Sequence, residues 1–197
     1  MDLISALLLF VRLISAKYQW IKLAVPVSIT SGVETEAAKS NNHVLRTNVS
    51  RNALMTAALT EDLVFAGAGG GGFVFPDFLP AYDGMISLVK LLELLTYTGS
   101  SLSDNLENLS PFHYLSRDFP TSWENIGLIM RKMREWSGER RVDLTDGLKI
   151  FLNDANWVLI LPDAEEPLLH VIVDSDSATG GETMMEEYLT LIRDFSA

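Results

Sequence analysis

The 197-residue chain contains no cysteine, which excludes disulfides, thiolate nucleophiles and cysteine zinc sites together. Its three histidines, His43, His113 and His170, lie too far apart in sequence to form a His-x-x-x-His ligand pair. Positive charge is scarce: 15 Lys and Arg stand against 26 Asp and Glu, a formal charge of −11. A general binder of nucleic acid or of an anionic membrane surface is therefore not expected. Long hydrophobic runs are also missing. The stretch Leu3 to Ile14 is led by Asp2 and interrupted by Arg12, whereas a membrane span wants about 20 apolar residues and an export signal wants a positive start. A buried first helix is expected instead. The lack of cysteine fits a reducing compartment, and the expected location is cytoplasmic.

What is present suits packed domains. Hydrophobic residues make up 48% of the chain and the mean hydropathy is +0.18, enough for one or two cores. Charge is unevenly spread: residues 1–142 hold thirteen basic and fourteen acidic side chains, residues 143–197 two and twelve. Two structural units are expected, 1–138 and 139–197, with Ser137 to Arg141 as the hinge.

The first unit reads as α/β. Residues 2–16 form a helix, and Trp20 to Val27 a strand buried on both faces. A helix over 28–40 is capped by Thr30 or Ser31, His43 to Val49 is a strand, and Ser50 caps a helix over 51–60. Leu63 to Ala66 is a strand running into Gly67-Ala68-Gly69-Gly70-Gly71-Gly72. This alternation predicts a mainly parallel sheet with flanking helices. Asp83-Gly84 opens a helix over 85–95. Residues 97–110 are turn-like and partly helical. Phe112 to Arg117 is a strand, and Ser122 to Trp136 a helix. The second unit reads as small α+β: strands over 148–152, 157–161 and 168–173, joined by tight turns and covered by a helix over 180–197.

Two segments could carry chemistry. A glycine-rich turn between strand and helix can bring backbone N–H groups to a phosphate, or can be a tightly packed bend. No Lys-Ser or Lys-Thr follows it, so it is not a nucleotide P-loop. The turn Leu161-Pro162-Asp163-Ala164-Glu165-Glu166-Pro167 could hold a cation, or be a solvated hairpin, since it lacks the alternating ligands and glycine of a calcium loop. His170 reads as a core or edge histidine, and Trp123, Trp136 and Trp157 as core.

The stretches GGGGFVFPDFLPAYDGMISLVKLLELL and DLTDGLKIFLNDANWVLILPDAEEPLLHVIVDSDS resemble the C-terminal half of the α-D-phosphohexomutases. The resemblance is nearest to the phosphomannomutase modules found alone or fused to mannose-1-phosphate guanylyltransferases. It implies a third-domain-like α/β fold followed by a fourth-domain-like α+β fold. It also implies a four-domain parent enzyme that interconverts sugar 1- and 6-phosphates, with a phosphoserine in its first domain and Mg²⁺ in its second. Neither an Asp-Gly-Asp motif nor a phosphoserine loop occurs in this chain, so no cofactor is expected on it. Implied partners are N-terminal mutase domains or a nucleotidyltransferase domain, in cis or in trans, with a homo-oligomer as a further option.

The resemblance also implies site positions, and most have changed. In the sugar loop, Gly67 matches, but Ala68 stands for the family's Glu and Gly70 for its Ser; Gly69, Gly71 and Gly72 complete the degenerate loop. In the phosphate loop, Leu161 stands for Arg, Asp163 for Ser and Glu165 for Thr. Ala164 lies between them, and only Glu166 and Pro167 match. Asn48 occupies the place of a substrate-reaching lysine. A charge-assisted contact from the family's Arg is worth about 1.5–3 kcal/mol for each hydrogen bond, so its loss alone predicts weak phosphate binding. The expected role is a catalytically incomplete module serving assembly or regulation. Alternatives are half of an enzyme completed by a partner chain, or an acidic cation-binding or protein-docking domain.

Overall fold

A computed structural model of the chain describes residues 2–196. It divides into two units, Met1–Pro111 and Phe112–Ala197. In the first, the strands β1 (Lys22–Pro26), β2 (His43–Thr47), β3 (Leu63–Gly67) and β4 (Phe73–Val74) form a sheet in the order β2-β1-β3-β4. β1 runs parallel to β2 and β3, and β4 is antiparallel to β3, as the alternation of strands and helices requires.

Helix α1 (Leu3–Lys17) starts where Asp2 accepts the Ser5 N–H. Leu7, Leu8, Leu9, Val11, Leu13 and Ile14 on it are at most 1% exposed, which makes it the buried first helix expected from its composition. Among the described residues no helix is long and apolar enough to cross a membrane. α1 packs against α2 (Gly32–Ala38), α4 (Gly84–Thr98) and α5 (Leu102–Glu107), while α3 (Arg51–Thr60) packs against β1, β2 and β3. Phe10, Phe65, Phe73 and Phe75 form a cluster of stacked, tilted and edge-on rings with centroids 4.6–5.9 Å apart, joining α1 to the strands on both sides of the glycine run.

The second unit is a five-stranded antiparallel sheet in the order β5-β9-β8-β7-β6. Its strands are β5 (His113–Pro120), β6 (Val142–Asp143), β7 (Leu148–Phe151), β8 (Trp157–Pro162) and β9 (Leu168–Ser175). Helices α6 (Trp123–Ser137) and α7 (Ala178–Ser196) pack on it. Val158, Ile160, Val171 and Val173 from the strands meet Ile129, Met133, Met185, Tyr188 and Ile192 from the helices. α7 is fixed to β5 by Arg117, which pairs with Glu186 and, at 2.7 Å, with Glu182.

Three expectations are corrected. The boundary falls after Pro111 rather than at 138, because β5 pairs along its whole length with β9 and draws α6 with it. Two helices, not one, therefore cover the sheet. The first strand begins at Lys22 rather than at Trp20, which has φ 60° and is 71% exposed. Trp123 is 56% exposed and so lies outside the core, whereas Trp157 is fully buried and Trp136 packs against the core and edge-on to Tyr188.

Candidate functional site

The glycine run leaves β3 at Gly67 and turns back into β4. Ala68 donates to the Gly72 carbonyl at 2.9 Å and Gly71 to the Ala68 carbonyl at 3.2 Å. Gly71 has φ +83°, a conformation that favours glycine. At Gly67, Gly69 and Gly72 a Cβ would lie 2.4 Å from Leu7, 2.8 Å from Ile29 and 2.5 Å from the Tyr82 ring; at Gly70 nothing stands within 4 Å. The bend is thus packed at three positions and open at a fourth.

Gly70, Gly71 and Gly72 line a cavity of about 270 Å³ with Ala68, Arg51 and Tyr82. Ser50 caps α3 by accepting the Ala53 N–H at 3.1 Å, which places Arg51 in the first turn. Asp83 caps α4 by accepting from Met85 at 2.8 Å and Ile86 at 3.0 Å, which places Tyr82 just before the helix. The Tyr82 hydroxyl is buried without a hydrogen-bond partner. Burial raises its pKa above the usual phenol value, opposed by the charge of Arg51. No hydrogen bond or ion pair engages the Arg51 guanidinium among the described residues.

Asn48 is exposed just beyond β2. Its neighbour Arg46 is fully committed to structure. Its Nε and Nη2 pair with Glu34 at 2.8 and 2.5 Å, Nη1 donates to the Pro26 and Ile29 carbonyls at 2.9 and 2.7 Å, and Nη2 to Thr30 at 3.1 Å. Arg46 therefore has no N–H group left for a ligand.

In the second unit the segment 163–167 is the β8–β9 turn. Leu161 is 8% exposed at the end of β8, so this position of the turn offers a buried apolar side chain. Asp163 closes the turn on itself: its Oδ1 accepts the N–H groups of Glu165 and Glu166, both at 2.7 Å. Those backbone bonds, chiefly that from Glu165, together with His170, hold the Asp163 carboxyl down to about 2. Ala164, Glu165, Glu166 and Pro167 are exposed.

His170 sits between two carboxylates, its Nδ1 2.7 Å from Asp118 and its Nε2 2.9 Å from Asp163. Burial tends to lower its pKa, but the bonds to Asp118 and Asp163 outweigh that and raise it. Among the described residues no group of three His, Asp or Glu side chains could hold a metal ion, so the residues present do not fit the Mg²⁺ that the family implies.

Residues 5–112 match the family profile described as phosphoglucomutase/phosphomannomutase, alpha/beta/alpha domain III. The chain belongs to this family. It is 27% identical over 172 residues to a phosphoglucomutase/phosphomannomutase of Thermococcus kodakarensis, covering 86% of this chain and 36% of the relative. It is 26% identical to a probable phosphoglucosamine mutase of Methanopyrus kandleri, covering 87% and 38%. The fold is similar to that of a phosphoglucomutase/phosphomannomutase family protein from Burkholderia thailandensis, with TM-score 0.80 and 15% identity over 98% of this chain and 41% of that one. It is also similar to an Aspergillus fumigatus N-acetylphosphoglucosamine mutase solved with GlcNAc-6P and magnesium, with TM-score 0.70 and 10% identity over 100% and 44%. Both layers, the parallel and the antiparallel sheet, have counterparts in such structures. The chain spans less than half the length of these relatives.

Within the family frame, the positions read from sequence fall into two groups, 67–72 in one unit and 161–167 in the other. Arg51 and Tyr82 were missed. The signals that could have found them were the Ser50 cap, which fixes the first turn of α3, and the Asp83 cap, which fixes the residue before α4.

Proposed function

We propose that this chain is a phosphohexomutase-derived module of sugar-phosphate and sugar-nucleotide metabolism that has lost phosphoryl transfer and serves assembly or regulation. It would do so as the C-terminal part of a guanylyltransferase–mutase fusion. The observation that carries this reading is the β8–β9 turn. A phosphate loop must offer a cation and free N–H groups. Here Leu161 stands where the cation would be, and the Glu165 and Glu166 amides are already bonded to the Asp163 carboxylate. An anion arriving at this turn would meet an anion in its place.

Docking to N-terminal mutase domains, to a nucleotidyltransferase domain or to a second copy is supported by the outer side of α4. There Met85, Leu88, Val89 and Leu92, spaced i, i+3, i+4 and i+7, are all more than half exposed. The test is an isomerisation assay with glucose 1-phosphate and mannose 1-phosphate, with Mg²⁺ and a hexose bisphosphate activator. The expected result is no turnover above blank, and turnover dependent on this chain refutes the reading.

The half-enzyme alternative draws on the similarity over 98% of this chain to a structure of a phosphoglucomutase/phosphomannomutase family protein. Mutase activity restored on mixing with the N-terminal portion of a family member would favour it. The cation-binding alternative has no support in the geometry, since both oxygens of Asp163 are engaged by the turn and by His170.

A further inference from the structure

We propose that the first unit carries a second binding site, for a small hydroxycarboxylate, in the cavity walled by Arg12 and Asn105. The cavity measures about 300 Å³, at the lower end of the range for ligand sites. Arg12 and Ala16 reach it from α1, Glu36 and Lys39 from α2 and its C-cap, and Asn105 from α5. α1 leads into β1 and α2 into β2, so the cavity sits where these parallel strands begin. The glycine bend lies past the end of β3, which runs parallel to β1. The two sites are therefore at opposite ends of the sheet.

Three side chains set what the cavity accepts. Arg12 Nη1 donates to the Asn108 carbonyl at 2.9 Å and lies 3.5 Å from Glu36 Oε2. Its Nε and Nη2 have no partner among the described residues and are not sealed from solvent, and such a pair of N–H groups matches the two oxygens of a carboxylate. Lys39 Nζ donates to Glu36 at 2.7 Å and to Ser110 at 3.0 Å, which leaves it one further N–H. Asn105 is 6% exposed. Its Nδ2 donates to Ser100 Oγ at 2.7 Å and to the Ser101 carbonyl at 2.9 Å, whereas its Oδ1 accepts nothing and keeps some surface. A nearly buried acceptor on a cavity wall calls for a donor on the ligand.

Charge narrows the class further. Burial raises the pKa of Glu36, but the bonds from Lys39 and Ser110 outweigh that and lower it, so Glu36 is ionised. Arg12 and Lys39 against Glu36 leave one net positive charge, and the last carbonyls of α1 and α2 temper it. One carboxylate balances that charge, whereas the second charge of a phosphate dianion would face Glu36 uncompensated. A hydroxyl on the same molecule supplies the donor for Asn105. This inference uses none of positions 48, 67–72 and 161–167 and does not rest on the proposed loss of phosphoryl transfer.

The test uses the whole chain, read by titration calorimetry and thermal unfolding, with four probes: glycerate, propionate, glycerol and inorganic phosphate as its dianion. Glycerate should bind saturably in the millimolar range or below and raise the unfolding midpoint. Propionate, which lacks the hydroxyls, and phosphate should each bind severalfold more weakly, and glycerol should not bind. Ala16 is exposed on α1 and lines the cavity, so its charge can be changed without disturbing a hydrogen bond. Ala16→Glu should weaken glycerate at least tenfold and Ala16→Lys should not weaken it, with the midpoint of the free chain nearly unchanged in both. Asn105→Ala should bring glycerate down to the level of propionate.

The proposal is overturned if glycerate has no saturable effect, or if glycerol or phosphate binds as tightly as glycerate. It is also overturned if Ala16→Glu and Ala16→Lys bind glycerate equally, or if a folded Asn105→Ala chain still prefers glycerate to propionate. Should Asn105→Ala fail to fold, the Ala16 pair and the four probes decide alone.

Discussion

Replacing Arg46 by Ala tests whether the two arginines near Asn48 have opposite duties. Arg46 makes five hydrogen bonds that tie β2 to the segment following β1 and to α2. Glu34 is 45% exposed, so the ion pair itself contributes only about 0–1 kcal/mol. The three carbonyl bonds matter more. Each hydrogen bond from a charged donor is worth about 1.5–3 kcal/mol when the acceptor has no substitute, and Arg46 is 18% exposed, so water recovers part of that. A net loss of about 3 kcal/mol follows. For a unit of this size that is a fall of roughly 10 °C in unfolding midpoint. Arg46→Lys keeps the charge but not the fork and should fall between parent and Ala. Arg51→Ala should move the midpoint by no more than about 2 °C, as for a surface change. Calorimetry or circular dichroism on the three variants decides the matter: an Arg46→Ala chain as stable as the parent, or an Arg51→Ala chain as unstable as Arg46→Ala, refutes the assignment.

Tyr188 is 1% exposed with an unpartnered hydroxyl, so Tyr188→Phe should stabilise the chain by about 1 kcal/mol, since it removes an unsatisfied group and keeps the ring against Trp136; denaturant midpoints check this. Burial pushes the Tyr188 phenol up to about 12, so ionisation of this group costs no stability below about pH 10 and a growing amount between about 10 and 12; the Phe variant should lack that part of the alkaline decline. The raised pKa of His170 contributes stability that is complete below its ordinary value near 6.5 and is lost as pH rises through the folded value; stability measured against pH in His170→Gln should lack this drop. In Gly147→Ala a Cβ would lie 2.4 Å from the Ile160 carbonyl at φ +69°, so the β7–β8 pairing should be disrupted and the second unit should lose cooperative unfolding.

The layers of the first unit were legible because their signals are local. Ser50, Asp83 and Ser122 each cap the helix they precede, and the apolar run in β1 marked a strand covered on both faces. The unit boundary was not legible. β5 finds its partner β9 about fifty residues further on, as in the pair Asp118 and His170, and no periodicity records a distant pairing. The charge asymmetry misled for the same reason: Arg117, Arg131, Lys132 and Arg134 fold with the acidic half while preceding it in sequence. Trp123 follows a helix cap and faces outward, which its residue type alone could not reveal. At the candidate site the residues at 68, 70, 161 and 163 could be read position by position, and the bend and the turn they form could not. That Asp163 accepts the Glu165 and Glu166 amides depends on the conformation of a turn, which residue types alone do not specify.

The glycine bend carries a consequence for reversibility. Gly67, Gly69 and Gly72 are hemmed in by Leu7, Ile29 and Tyr82, yet Gly70 opens on empty space and Ala68 already carries a Cβ on the cavity wall. The two places where larger side chains could be reinstalled are therefore the two where the resemblance places the family's Glu and Ser. Larger side chains could be added there by small steps on an undisturbed backbone, whereas any donor role for the 165 and 166 amides would first require removing the carboxylate that staples the 163–167 turn shut.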